Sequence, residues 1–418
     1  MTATTLFAAR RLKYAATIND EALSESTEPD LELAYIDIGN VDSQGQVHDI
    51  VNYRFEDAPS RARRIVRDGD VIISTVRTYL QAIAPVENPP DNLIVSTGFA
   101  VVRPSSVLDH RFCKYAVRAN RFLWEVESRS TGVSYPAINA SDLGDIAVTL
   151  PEVGAQRVIA AYLDRETARI DGLIAEKERM LALLEEKRAA LISRVVTRGL
   201  DPSPSLKPSG QEWLGDIPAH WPTTKFSWDV FISEGQVDPE DDRFSEMILV
   251  APNHIESRTG EITHTETSAD QGAISGKYFC KQGDVLYSKI RPALRKVALA
   301  ETDCLCSADM YALRPSERLV PQYLQYFLLS EDFSTWAELE SARVAMPKIN
   351  RETLSAIRIP VPPREEQECI VTYIRRGSRR IDLQRKAVRG SVDLLKERRA
   401  ALITAAVTGQ IPIEEMTG

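Results

Sequence analysis

The chain has 418 residues, room for about two to four domains at roughly 100–200 residues each. Its residues are 43% apolar and 27% charged, a globular composition that excludes a disordered tail or a fibre. The formal net charge of −9 requires that any surface for nucleic acid be a local basic patch on an acidic body.

The opening stretch, MTATTLFAARRLKYAAT, lacks the apolar centre of a secretory signal. No run approaches the roughly 18 consecutive apolar residues of a membrane span. A cytoplasmic protein with no membrane contact is therefore expected. Short β-branched runs follow, DVIISTV at 70–76 and LIVSTGFAVV at 93–102, and they read as strands. Arg61, Arg63, Arg64, Arg67 and Arg77 flank the first run, with Tyr79 just beyond it. Asn88-Pro89-Pro90-Asp91 is one aromatic residue short of the tetrad that adenine methyltransferases stack on a flipped base. No Gly-rich loop for a methyl donor accompanies it, so it reads as a turn.

At Pro151 the text turns helical. Leu163, Ile170, Leu184 and Leu191 fall on a seven-residue grid, with Lys177 in the remaining place. A 3-4 apolar spacing held over some 45 residues predicts a long helix that buries a stripe against another helix. Residues 201–210, with three prolines and three serines, predict an extended connector with no folded element. A second globular part opens with WLGDIPAHW at 213–221. Its stretch 277–296 carries six Lys/Arg against one acid, with Tyr278, Phe279 and Tyr287 interleaved. After Pro362 comes a second heptad helix, marked by Ile374, Ile381, Val388, Leu395 and Leu402. Residues 374–399 hold ten Lys/Arg against three acids while their first-half counterpart is nearly balanced, so the two helices could attract each other, or one could face a polyanion or an acidic partner.

The chain is thus written twice. Residues 133–197 align without gaps on 344–408, with 24 identities in 65 positions. QRVIAAYLDRETARID pairs with QECIVTYIRRGSRRID, and VSYPAINASDL with VAMPKINRETL. Fainter echoes are Gly69-Asp70-Val71 with Gly283-Asp284-Val285, at an offset of 214, and Arg103-Pro104-Ser105 with Arg314-Pro315-Ser316, at 211. A repeat of half the chain is no solenoid. It is a duplicated two-part module, and antiparallel pairing of the two helices would set the globular parts at opposite ends about an approximate two-fold axis.

Catalytic constellations do not emerge. There is no phosphate loop, no H-E-x-x-H and no nucleophile elbow. The five histidines are scattered, and Cys304 and Cys306 have no second pair with which to hold zinc. No catalytic residue, metal or cofactor is expected. Glu185-Glu186-Lys187 lies mid-helix and reads as a solvated face. Basic side chains mixed with hydroxyls and aromatics are instead the inventory for gripping phosphates and reading base edges. The candidate DNA contacts are Ser74, Thr75, Arg77, Tyr79, Thr131 and Tyr135 in the first half, and Ser288, Lys289, Arg291, Lys296 and Lys348 in the second.

The doubled P-x(4)-Q…R-I-D…R-A-A-L-I-x(3)-V-T, the W-L-G-D-I-P opening and the two G-D-V-x(2)-S-x(2)-R elements at 69–77 and 283–291 resemble the specificity subunits of type I restriction-modification systems. The resemblance runs over nearly the whole chain. It implies an α+β protein with two similar α/β target-recognition domains separated by two long antiparallel helices, a coiled coil with pseudo-two-fold internal duplication. The expected boundaries are 1–151 and 213–361 for the recognition domains, and 152–199 and 362–410 for the helical spacers. A linker at 200–212 and a tail at 411–418 complete the division. The implied role is a non-catalytic reader of a split, asymmetric sequence in double-stranded DNA. Implied partners are methyltransferase subunits, two of them, and restriction subunits. A pseudo-symmetric scaffold that binds proteins without DNA specificity is the alternative.

Overall fold

The computed structural model describes residues 7–342 and 347–417. The first six residues of the expected first domain, the end residue of the expected tail and part of the VAMPKIN repeat fall outside the described residues. The chain divides into two compact units, Met1–Glu178 with Gly390–Gly418, and Arg179–Arg389.

Both units are built on the same strand order. In the first, an antiparallel sheet runs Ala16–Ile18, Phe99–Pro104, Val71–Ser74, Ile83–Pro85. In the second, it runs Val230–Ile232, Met310–Pro315, Val285–Ser288, Val297–Leu299. A second sheet repeats likewise. Glu32–Ile36 lies parallel to Leu93–Ser96, which pairs antiparallel with Ala62–Ile65. Its counterpart sets Leu249–Val250 parallel to Cys304–Cys306, and Tyr278–Cys280 antiparallel to it. The first unit adds an edge strand, Val51–Arg54. Val71–Ser74 and Val285–Ser288 are buried along their whole length, which is why they read as unbroken apolar runs and not as alternation. The three-residue difference in offset falls in one connection. Seven residues, 86–92, join two strands in the first unit where four, 300–303, suffice in the second. The longer version holds Asn88-Pro89-Pro90, with Asn88 at φ +48°.

The heptad text forms two helices, Val153–Arg198 and Arg364–Thr408. Each is stapled to its globular part by a fully buried glutamine in its first turn. Gln156 accepts the Asp109 amide at 2.7 Å and donates to the carbonyls of Val107 and Pro151. Gln367 accepts the Val320 amide at 2.7 Å and donates to Arg318 and Pro362. Leucine at either position strands these groups, and a loss of about 1–3 kcal/mol is expected, read as a lower urea midpoint.

Within the first unit the helices run antiparallel. Ile159, Ala160 and Leu163 share one core with Ile403, Ala406 and Val407, and Arg399 clamps Asp171 at 2.8 and 3.2 Å. Within the second, Arg188 pairs with Asp382 and Arg385 with Glu185, again with numbers rising on one helix as they fall on the other. Of the expected seam residues, Leu163, Ile170, Leu184, Ile374, Ile381 and Val388 are buried, and Leu191, Leu395 and Leu402 half-buried. Lys177 is half-buried. Gly377 faces Leu191, whose Cδ2 a Cβ would strike, whereas Gly172 and Gly390 face open space. Alanine at either of these two is expected to add about 0.5–1 kcal/mol of stability and to raise the melting temperature, with no such gain at Gly377.

Each globular core takes in helix ends. The first unit packs Leu12, Val71, Phe112 and Phe122 on the segments just named. The second packs Trp221, Phe226, Tyr323 and Phe333 on Val195, Val196, Ile370 and Ile374. The WLGDIPAHW opening feeds this core. Trp213 lies 5.6 Å from Trp336, and the Trp221 indole N–H donates to Glu366 at 3.0 Å. One expectation fails here. The connector is not wholly without structure, because Leu206–Pro208 pairs antiparallel with Asp216–Pro218. The turn between them is made by Gly210 and Gly215 at positive φ, and the proline spacing leaves Lys207 free to join the ladder.

Candidate nucleic-acid interface

Both central strands end in the same loop. After Val71–Ser74 the backbone enters the left-handed region at Arg77 (φ +53°), makes one 3-10 turn at Thr78–Leu80, and enters that region again at Gln81 (φ +49°). After Val285–Ser288 the sequence is Arg291 (φ +46°), Pro292–Leu294 and Arg295 (φ +48°). Left-handed backbone at a residue other than glycine is strained by about 1–3 kcal/mol. It is held at equivalent positions in both units.

A second segment packs along each loop. In the first unit Val76 bridges to Ala137, which also pairs with Thr131, and the Ile138 amide donates to the Thr75 carbonyl at 2.9 Å. In the second unit Ile290 bridges to Lys348, the Ile349 amide donates to Lys289, and the Arg291 amide donates to Pro347. These contacts bring together residues distant in sequence. The Arg77 guanidinium lies 4.9 Å from the centre of the Tyr135 ring, and Tyr135 and Tyr79 are 62% and 55% exposed. Thr131 and Arg77 are exposed beside them. In the second unit Arg291 and Lys348 are exposed and Lys289 is half-buried. The Lys289 ammonium lies 5.2 Å from the Tyr311 ring. Desolvation pushes its pKa down against the pull of Asp309, and the charge of Lys348 pushes the same way. Tyr311 is buried, so it is in the first unit that a cation lies beside exposed rings, an arrangement that can hold phosphate oxygens and stack on sugar or base.

Other expected contacts have their polar groups engaged elsewhere. Ser74 and Ser288 are buried, and their hydroxyls donate to the carbonyls of Val76 and Ile290. They shape the loop from inside and present no hydroxyl to a ligand. The Thr75 hydroxyl donates to Gly98 at 2.9 Å, and the Lys296 ammonium to Pro252 at 2.6 Å. Among the flanking arginines, Arg63 lies over Phe55 and Arg67 pairs with Glu21.

At the other end of each central strand, away from the loop, is an ion pair that joins the two faint sequence echoes. Asp70, 2% exposed, accepts both the Arg67 amide and a two-pronged contact from Arg103 at 2.8 and 2.9 Å. Asp284, also 2% exposed, accepts the Lys281 amide and Arg314 at 2.7 and 2.9 Å. Hydrogen bonds donated to these aspartates hold the guanidinium pKa of Arg103 and of Arg314 above its ordinary value. Gly69 and Gly283, at φ +87° and +89°, turn the chain into each aspartate. The repetition of G-D-V and R-P-S in both halves is the only trace of this pairing in the sequence, and it does not mark the two as partners. Among the described residues, no cluster of three or more His, Cys, Asp or Glu could hold a metal, and no helix is long and apolar enough to cross a membrane.

The model of the type I restriction modification DNA specificity domain matches residues 257–388, which include the second loop. The chain is 30% identical over 315 residues to the type I restriction enzyme EcoDI specificity subunit of Escherichia coli, over 72% of this chain and 70% of that one. It is 22% identical over 335 residues to the MjaVIII specificity subunit of Methanocaldococcus jannaschii, over 78% and 75% of the two chains. A chain solved in work on complex assembly and conformational transition of the type I R-M system superposes with a TM-score of 0.70 at 24% identity, over 97% of this chain and 98% of that one.

Proposed function

Because this chain belongs to the specificity subunits of type I restriction enzymes, the non-catalytic DNA-specificity members of those systems, we propose that each unit reads one part of a split, asymmetric target through its strained basic loop. In the first unit the reading surface is Arg77, Tyr79, Thr131 and Tyr135; in the second it is Lys289, Arg291 and Lys348. The observation that carries this is the loop itself, which is built twice with the same left-handed arginine and the same supporting segment, after a strand anchored at its far end by the same ion pair. Strain kept at equivalent places points to a role in recognition. The recognition domains are residues 1–151 and 213–361. Two methyltransferase subunits dock on the chain, restriction subunits join them, and the complex acts on cytoplasmic DNA.

The test is selection of duplexes from a randomised pool by the chain assembled with its methyltransferase subunits. Two short fixed sequences separated by an unspecified gap are the expected result. A pool that returns unenriched, with DNA binding insensitive to salt, would remove the reading. The isolated chain is expected to transfer no methyl group from a labelled donor to DNA.

A further inference from the structure

Where the long helices meet the globular part, each unit has a cleft, and the two clefts are lined by equivalent helix positions. Arg188, Ala189 and Ile192 in the second unit correspond to Arg399, Ala400 and Ile403 in the first. The second unit's cleft, about 400 Å³, is lined by five arginines, 188, 258, 295, 385 and 389, against two acids, Glu185 and Glu256. Asp382, beside it, pairs with Arg188 and Arg385, and Arg295 reaches Glu331 at 3.8 Å. Positive charge remains in excess. Arg258 and Arg389 are exposed and have no ion pair among the described residues. The Nε–H groups of Arg188, Arg295 and Arg385 are buried without any hydrogen-bond partner, and the side chains of these three are 8%, 10% and 10% exposed. Buried donors left open in this way call for an acceptor.

We propose that this cleft binds a compact polyphosphate anion, pyrophosphate or the phosphate chain of a nucleotide. Guanidinium groups are the side chains best shaped to hold phosphate oxygens in pairs. Here Arg188, Arg295 and Arg385 form the buried part of the lining, each with one uncommitted Nε–H, and the exposed Arg258 and Arg389 complete it. The volume lies within the range of small-ligand sites. The first unit's cleft is a poorer candidate, since Arg399 is committed to Asp171 by two bonds and Arg118 donates to the carbonyls of Gln44 and Ile83. Of the reading loop the cleft uses only Arg295, which ends it, and none of the side chains assigned to DNA.

Calorimetric titration of the full chain with pyrophosphate at low ionic strength tests it. One site per chain is expected. Arg258→Ser with Arg389→Ser, both exposed, should weaken binding tenfold or more. Glu256→Gln removes a carboxylate 3.8 Å from Arg385 and should tighten it, a change that loss of folding cannot produce. Arg291→Ala should leave it unaltered. Titration in the presence of saturating duplex DNA should give the same affinity; displacement by DNA would assign the cleft to the DNA backbone and overturn the proposal. So would absence of binding at millimolar pyrophosphate, or equal affinity in the arginine variants.

Discussion

Replacing Arg103 by methionine is expected to lower the stability of the first unit by about 3–5 kcal/mol, the usual effect of leaving one partner of a buried ion pair without the other. Asp70 is 2% exposed, and its remaining partner would be the Arg67 amide. Arg103 also reaches Asp20 and Glu21 at 2.9 and 3.1 Å, so three carboxylates lose one cation. The double variant Asp70→Leu, Arg103→Met should recover most of the loss, since apolar groups of similar volume replace such a pair at little net penalty. Arg314→Met should do less harm, because Arg314 is 36% exposed where Arg103 is 20% exposed and solvent already screens it. Hydrogen exchange at Val71–Ser74 and at Val285–Ser288 separates the units. Equal protection of the first strand in the parent and Arg103→Met would show that the pair is dispensable.

The double variant Arg77→Ala, Arg291→Ala should lose roughly 2–6 kcal/mol of affinity for the specific target in the assembled complex, if each arginine makes a bidentate base contact worth about 1–3 kcal/mol and the two act independently. If either holds a phosphate instead, binding to all sequences should fall together and the salt slope should drop by about 0.9 per contact. The backbone offers a control. Both arginines are left-handed, and glycine there relieves about 1–2 kcal/mol of strain that alanine retains. Arg291→Gly should therefore melt higher than Arg291→Ala while binding DNA as poorly. If the glycine variant regains affinity, the loop's conformation and not its side chain is the determinant. If neither variant weakens binding, these arginines are ordinary surface residues.

Much of the architecture was legible because it rests on periodicity and repetition. The heptad grid gave both long helices, and the gapless repeat gave the duplication, since helix packing constrains spacing tightly. The strand-like runs gave the central strands for the same reason, being buried on both faces. What stayed hidden depends on contacts between residues far apart. Nothing in Gly69-Asp70-Val71 announces that its aspartate waits for Arg103, and a serine beside a basic loop looks the same whether its hydroxyl points outward or, as at Ser74 and Ser288, into the turn. The charge of Lys296 is legible, but not that its ammonium donates to the Pro252 carbonyl. The left-handed arginines had no glycine to betray them. The connector misled because prolines spaced two and four apart still allow a short ladder around Lys207.

The division of the chain into units has a consequence for its biosynthesis. The second unit is one continuous stretch, Arg179–Arg389, whereas the first needs Gly390–Gly418 to supply Ile403, Ala406 and Val407 to its core. Domains usually fold in the order in which they leave the ribosome. Here the N-terminal unit emerges first and closes last, holding an unfinished apolar core while more than two hundred further residues are translated. A chain truncated after Arg389 and released from the ribosome should accordingly protect Val285–Ser288 from proteolysis and leave Val71–Ser74 open to it.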